Sequence, residues 1–364
     1  MAVVLTPERQ VIVDILRRQG VSVSDEDAFS FSRIGEGRGF CSLLYRVNVG
    51  DRSFAVKITN PQGSITGAEG TAGLHENVHN RECDFYRWAA GYLTDGELTD
   101  LEKIARTYGD SKCEGREGLL IMEDFSGRMT SDVDYTKGFS VDVVKSILRS
   151  IVGYQSAFFS SKNTFSLSDK SVVNAGLKGM GSHCIDAFPQ KEWLSEERRK
   201  TLHAISDAIV ELQEDYPEPA KSLRRSLVHC DLWPNNMLFE KTPDHPQGTL
   251  MAIVDWQCAN VGNALLDVAS AIGVCLTPED RRAHEEELVE YYLGEMEKRK
   301  HRFTQSFEMD KDTAYSQYRH SLKWAALQLV FTTVFNPTAD LPSSETEDGP
   351  LSTRLNAILD DIGI

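Results

Sequence analysis

Residues 227 to 240 read LVHCDLWPNNMLFE. Two short apolar runs enclose a histidine, an aspartate, two asparagines and a proline, where a plain strand-to-turn connection is usually built from Gly or Asn alone. His229, Asp231 and Asn236 stand as H-x-D-x-x-x-x-N, and nineteen residues after Asn236 an apolar run ends in Asp255 within AIVDWQ. A loop bounded by strands can present Asp231 at a cleft, while Asn236 and Asp255 at neighbouring strand ends can converge on one cation. Hard oxygen ligands suit Mg²⁺, which takes one or two protein groups and fills its other positions with phosphate oxygens and water. That is a phosphoryl-transfer site in outline, with Asp231 accepting the proton of the acceptor hydroxyl. Taken singly, each of these residues is also an ordinary turn former that hydrogen-bonds its own backbone; the spaced set is what points to chemistry. His229, preceded by SLV, reads as a packing brace for the loop.

The rest of the composition bounds this reading. The chain has 364 residues, 41% of them hydrophobic, enough for one large core or two lobes around a cleft. A formal net charge of -16 opposes general attraction to nucleic-acid phosphates or anionic lipid, so an anionic substrate needs local lysines or a metal. The seven cysteines are odd in number, widely spaced and without a CxxC pair, which suggests neither a disulfide framework nor a zinc knuckle and fits a reducing, cytoplasmic compartment. MAVVLTPERQ is too short an apolar run for a signal peptide, and no stretch reaches the roughly 18 apolar residues of a membrane span. WAALQLVFTTVF comes closest and reads as a buried core helix.

Along the chain, TPERQVIVDILRRQ (6–19) carries an N-capping Thr, a Pro at the first helical position and apolar residues at helical spacing, with Gly20 placed to end the helix. Three short strands follow, the last two joined by the hairpin dipeptide Gly50-Asp51, then a Gly/Thr/Ser-rich loop over 60–76 and a helix at ENVHNRECDFYRWAA. IARTYGD and EGLLIMEDF read as further strands. Beyond Phe125 the pattern is mostly helical: VDVVKSILRSIVGYQSAFFSS, SEERRKTLHAISDAIVELQED, 264–275, 278–300 and 311–335, interrupted by the strands SLVHC, NMLFE and MAIVDWQ. NPTADLPSSETEDGP reads as an exposed linker to a terminal helix. The expected organisation is a strand-rich lobe over 1–124 and a helical lobe over 125–364.

The first lobe offers two further features. IGEGRGF sets Gly35, Gly37 and Gly39 between strand-like runs, a hairpin whose backbone N–H groups could approach phosphates closely. Glycines also serve tight turns, and the loop is neither a Walker A nor a dinucleotide fingerprint. FAVKI places Lys57 within an apolar strand. An exposed edge is one reading; if the side chain is buried, its charge needs an anionic partner, and Glu82 on the following helix is the obvious one.

The Gly-rich hairpin, Lys57, Glu82, the H-x-D-x-x-x-x-N loop and Asp255 together resemble the protein-kinase-like fold, specifically its aminoglycoside phosphotransferase and choline kinase branch. LVHCDLWPNNMLFE, AIVDWQCANVGNALLDVA and HNRECDFYRW look closest to the CHK kinase-like or ecdysteroid-kinase-like group, over about Ile34 to Tyr292. The resemblance implies an α+β, bilobal fold with a small antiparallel-sheet N-lobe and a larger, mostly helical C-lobe. It implies Asp231 as catalytic base, Asn236 and Asp255 as magnesium ligands, and Lys57 with Glu82 as the pair that orients phosphates. It further implies that LLIMEDF is the hinge, where backbone near Glu123 and Phe125 meets the adenine of ATP, and that Asp267 braces the catalytic loop.

Protein kinases read H-R-D, then D-F-G and a long activation segment. Here His-Cys-Asp and Asp-Trp-Gln stand instead, and Asp267 arrives twelve residues after Asp255, leaving little room to dock a peptide. The expected substrate is a small hydroxylated molecule, choline- or ethanolamine-like, sterol-like or glycoside-like, with Trp233, Trp256 and Trp324 as candidates to line its pocket. A nucleotide-binding pseudokinase scaffold is the alternative, and a protein kinase ranks below it. Oligomeric state is not legible.

Overall fold

The computed structural model describes residues 6–18, 21–23, 29–34, 42–59, 73–94, 103–114, 117–129, 134–161, 171–214, 225–242, 245–342 and 348–364. Gly35, Gly37, Gly39 and most of the 60–76 loop lie outside them.

Strands β1 (Phe29–Ile34), β2 (Ser42–Val49), β3 (Arg52–Thr59), β4 (Thr107–Ser111) and β5 (Leu119–Glu123) form one antiparallel sheet in the order β1-β2-β3-β5-β4. Gly50 takes a positive φ of 61° in the two-residue turn that pairs Val49 with Arg52, a conformation that glycine adopts at little cost. Helix α1 (Thr6–Arg18) packs Ile12 and Leu16 into a small core with Val47, Phe54, Val56 and Ile121 from the sheet. Helix α2 (Leu74–Thr94) crosses between the sheet and the helical remainder.

That remainder is built from α3 (Val141–Ser160), α4 (Ser171–Ala187), α5 (Glu196–Asp207), α6 (Ile209–Glu214), α7 (Leu265–Cys275), α8 (Pro278–Arg299), α9 (Lys311–Phe335) and α10 (Pro350–Asp361). Every residue of α7 is buried, and its all-apolar stretches explain why: a helix hydrophobic on all sides belongs at a core's centre. Ser140, Ser195, Thr277 and Asp310 cap α3, α5, α8 and α9, each accepting from the backbone N–H three residues on. Two small ladders lie among the helices: β6 (Ser226–Val228) with β9 (Asn260–Gly262), and β7 (Met237–Thr242) with β8 (His245–Ile253). The α+β architecture, with an antiparallel N-terminal sheet and a helical remainder, is the one expected.

The structure corrects several details. Within the described residues of SEERRKTLHAISDAIVELQED there are two helices, Glu196–Asp207 and Ile209–Glu214, that break at Ala208, rather than one. Helix α4 has no counterpart in the periodicity reading, because Gly176, Gly179 and Gly181 depress its helical signal. Two of these glycines are there for close packing: a Cβ on Gly176 would meet Leu74 at 2.9 Å, and one on Gly181 would meet Ser206 at 2.0 Å. The tract after α9 is not simply an exposed linker. Ala339 and Asp340 are buried, and Asp340 accepts from the N–H groups of Leu351 and Ser352 at the start of α10. The WAALQLVFTTVF segment is a buried helix, and among the described residues no helix is long and apolar enough to cross a membrane.

Candidate active site

The two ladders aim the H-x-D-x-x-x-x-N loop. β6 ends at Val228, the chain turns through Cys230 at a φ of 63°, and a 3-10 turn over Pro234–Asn236 delivers it into β7. Left-handed backbone at a non-glycine residue is costly and persists only where its surroundings hold it. Asp267 supplies that hold. Its Oδ2 accepts from the His229 N–H at 2.7 Å and from the Tyr154 hydroxyl at 2.6 Å, while Oδ1 accepts from the Cys230 N–H at 3.1 Å. Burial raises the Asp267 carboxyl above the ordinary range even so.

His229 is fully buried and carries both ring nitrogens in use. Nδ1 accepts from the Asp231 N–H at 3.2 Å, so Nε2 bears the proton and donates to the Val254 carbonyl at 2.9 Å. Burial lowers its pKa and keeps the imidazole neutral. The ring thus ties the loop to the strand end that carries Asp255, the bracing role expected of it.

Asn236 turns its amide group toward Asp231, donating to the Asp231 carbonyl at 2.8 Å and to Oδ2 at 3.0 Å. Trigonal geometry then directs the amide oxygen the other way. Its backbone carbonyl accepts from the Val254 N–H at 2.9 Å, which brings the Asp255 turn alongside. Asp255 itself has a φ of 65°. The next residue, Trp256, is wholly buried and stacks on Phe85 of α2, with centroids 3.9 Å apart and planes at 7°, and also meets Tyr154 and His229. This aromatic nucleus clamps the turn between α2 and α3. Half-buried Asp231 has its carboxyl held well above the usual range, first by desolvation and then by the charge of Asp255, against the opposing Asn236 hydrogen bond.

From the sheet, Lys57 enters the same place. It lies on central strand β3 between Leu44 and Leu120, so it is not at an edge. Nζ is 2.6 Å from Glu82 Oε2 and 2.5 Å from Asp255 Oδ1. Burial alone would discharge the ammonium; Asp255 and Glu82 more than offset that and raise its pKa. Burial pushes the Glu82 carboxyl upward despite Lys57. Two carboxylates sharing one ammonium leave the group net negative, which suits a site for a further cation.

The donor chemistry fits Mg²⁺. One amide oxygen and one partly exposed carboxylate are hard ligands of the small number that Mg²⁺ takes from protein. Among the described residues there is no cluster of three or more His, Cys, Asp or Glu side chains that would suggest a fully protein-ligated metal instead. The six described cysteines are free thiols.

At the end of β5, Glu123 and Phe125 fall where the chain leaves the sheet. The Glu123 N–H donates to the Arg106 carbonyl at 2.9 Å, and the Phe125 carbonyl accepts from the N–H groups of Arg128 and Met129, so these backbone groups are already engaged. Asp124 between them went unremarked in the sequence. Its Oδ2 accepts from Ser53 at 2.5 Å and Arg46 at 3.0 Å, and Oδ1 accepts from the Ser126 N–H at 3.0 Å, pinning β2 and β3 to the chain as it leaves β5. Its carboxyl lies below the usual range, because these hydrogen bonds outweigh its partial desolvation. The one local signal was the Asp-x-Ser turn. Nearby, Ile253 donates to the Lys103 carbonyl at 2.7 Å, a second tie between the strand connection and the Asp255 turn.

Of the three tryptophans, Trp256 and Trp324 are core residues, 0% and 2% exposed, and do not form an open aromatic cage. Trp233 is half-buried beside Asp231.

The microcompartment-associated aminopropanol kinase superposes with a TM-score of 0.52 at 12% identity, covering 97% of this chain and 95% of that one, which establishes a shared fold. Also similar are the GDP complex of aminoglycoside 2'-phosphotransferase-IIIa (TM-score 0.46, 13% identity, 99% of each chain) and the Plasmodium vivax ethanolamine kinase (0.47, 11%, 98% of this chain and 89% of that). No curated protein sequence matches this chain. The sequence profile of the ecdysteroid kinase-like family matches residues 36–303, well over half of the chain, and takes in every one of the site residues from Lys57 to Asp267. The chain belongs to the ecdysteroid kinase-like family.

Proposed function

We propose that the protein is an ATP- and Mg²⁺-dependent phosphotransferase acting, in the cytoplasm, on a hydroxyl group of a small molecule. The observation that carries this reading is the meeting of Lys57, Glu82 and Asp255 within hydrogen-bond distance, beside the bonded pair Asp231–Asn236. The sheet and α2 contribute one group each and two loops of the helical part contribute three, a convergence that packing alone does not require.

In this reading Asp231 accepts the proton of the acceptor hydroxyl, and Asn236 orients its carboxylate. A raised carboxyl pKa makes Asp231 a stronger proton acceptor once ionised. Asn236 and Asp255 would hold the metal, which when bound supplies positive charge against the phosphate oxygens. Lys57, kept charged and aimed by Glu82, contacts the phosphates. Backbone near Glu123 and Phe125 receives the adenine, and the glycines at 35, 37 and 39 approach the phosphates. The acceptor classes that fit are amino alcohols, sterols and glycosides.

Incubating the protein with labelled ATP, Mg²⁺ and a metabolite extract, followed by mass identification of products, tests the proposal. A new phosphorylated small molecule supports it. Label found only on protein, or nowhere, would contradict it.

A further inference from the structure

Helix α2 carries a second functional group toward the site. Glu82 and Tyr86 are one turn apart, about 40° around the helix axis, and long side chains on a helix lean toward its N-terminus, so the Tyr86 ring lies over the turn that bears Glu82. Phe85 flanks this face: it stacks on Trp256, next to Asp255, and meets Tyr86 edge-on with centroids 5.3 Å apart. The Tyr86 hydroxyl is thereby held in the interior beside two acids. Burial first, then the charges of Glu82 and Asp255, raise its pKa well above the ordinary phenol value, so it stays a protonated donor.

Two atoms on this face are unsatisfied. Tyr86 is 2% exposed, and its hydroxyl has no hydrogen-bond partner among the described residues. Glu82 is fully buried; Oε2 accepts from Lys57 at 2.6 Å, while Oε1 has no hydrogen bond closed on it among the described residues, although the Trp256 N–H lies toward the same carboxylate. Native proteins leave few such groups, because each is costly in the interior. One of the two is a donor and the other an acceptor, and they are complementary. Lys57 meanwhile serves two carboxylates at once, Glu82 and Asp255.

We propose that Tyr86 is a positioning residue of the nucleotide site, whose hydroxyl donates to Glu82 Oε1 when Lys57 engages phosphate and so keeps that carboxylate aimed at the ammonium. The inference rests on the phosphotransferase reading above and deepens it. Phosphate oxygens compete with Glu82 for Lys57 Nζ. As Lys57 turns toward them, the carboxylate loses part of the attraction that fixes it, in an interior where water does not replace it. Rotation about the last torsion of the Glu82 side chain, a soft one, brings Oε1 to the phenol. A hydrogen bond to an ionised group is of the stronger kind, and this one forms only with nucleotide present, so it stabilises the complex and not the ligand-free fold. Phenylalanine at position 86 keeps the packing of the ring and removes only the donor.

The test measures Mg²⁺–ATP binding by calorimetry, and the Tm without ligand, on the whole protein as wild type, Tyr86→Phe, Glu82→Leu, Glu82→Gln and the two double variants. In the Glu82 variants Lys57 keeps Asp255, so no ammonium is left without a counter-ion. Expected for Tyr86→Phe are a ligand-free Tm equal to or above that of wild type and a Kd for Mg²⁺–ATP about tenfold higher, the scale of one hydrogen bond to a charged group. The same substitution should leave the Kd unchanged in the Glu82→Leu background, where the acceptor is gone, and raise it only about threefold in Glu82→Gln, where the acceptor is neutral. An unchanged Kd in Tyr86→Phe would overturn the proposal, as would an equal loss in every background, or a lower ligand-free Tm with an unaltered Kd, the mark of a hydroxyl already satisfied without nucleotide. If wild type and Tyr86→Phe bind Mg²⁺–ATP equally well, the role of Tyr86 alone falls. A wild type that binds no Mg²⁺–ATP removes the phosphotransferase reading and this proposal together.

Discussion

Lys57 and Asp255 are 198 residues apart in sequence, and their side chains meet at 2.5 Å. The contact joins the central strand of the N-terminal sheet to the turn after β8, with Glu82 as the third member. Its energetic balance is delicate: an ion pair taken out of water roughly breaks even, but one member left alone in the interior does not.

Replacing Lys57 with Met should therefore destabilise the fold by about 3–5 kcal/mol near neutral pH, the cost of an orphaned buried charge, while Lys57→Met with Glu82→Leu should recover most of it. The loss should depend on pH in a definite direction. Burial raises the Glu82 pKa in the folded state, so the folded chain holds a proton that the unfolded chain releases above the ordinary glutamate value of ~4.3. Stability of the single variant should accordingly fall as pH rises from 5 to 8. Urea titrations at those two pH values, on single and double variants, check both statements.

Asp267 is a single carboxylate satisfying two backbone N–H groups and one phenol. Asp267→Ala should cost about 2–6 kcal/mol, from two buried N–H groups left unpaired at ~1–3 kcal/mol each, and should lower turnover through loss of the Cys230 conformation. Tyr154→Phe removes only one of the three bonds and should cost about 1 kcal/mol with turnover nearly intact. Thermal denaturation alongside initial rates separates the two.

Asp255→Ala should weaken binding of the Mg²⁺–nucleotide complex more than binding of free nucleotide, because the proposed ligand is lost while the adenine contacts stay. Calorimetry with Mg²⁺ and with EDTA measures the difference. Equal weakening under both conditions would remove Asp255 from the metal site.

Much of the site could be read from local spacing. Asp231 and Asn236 lie five residues apart across one short turn, so H-x-D-x-x-x-x-N nearly dictates their contact. A lysine in an apolar strand required a buried acid, and Glu82 stood on the next helix. The Lys57–Asp255 contact had no such signal, because it depends on how the sheet and the helical part come together. Trp256 and Trp324 illustrate a second limit: an aromatic residue near catalytic groups and one filling the core have the same local pattern, and only packing tells them apart. Helix α4 was hidden for a third reason, since glycines chosen for contact with Leu74 and Ser206 erased its propensity.

The most direct test of the account is single-turnover phosphoryl transfer by Asp231→Asn, with nucleotide affinity measured on the same preparation. Loss of a proton acceptor should slow transfer by about a hundredfold or more, while the affinity for Mg²⁺–ATP stays within a few fold of wild type. Transfer at the wild-type rate, with the acceptor phosphorylated as before, would contradict the role assigned to Asp231 and with it the proposed mechanism.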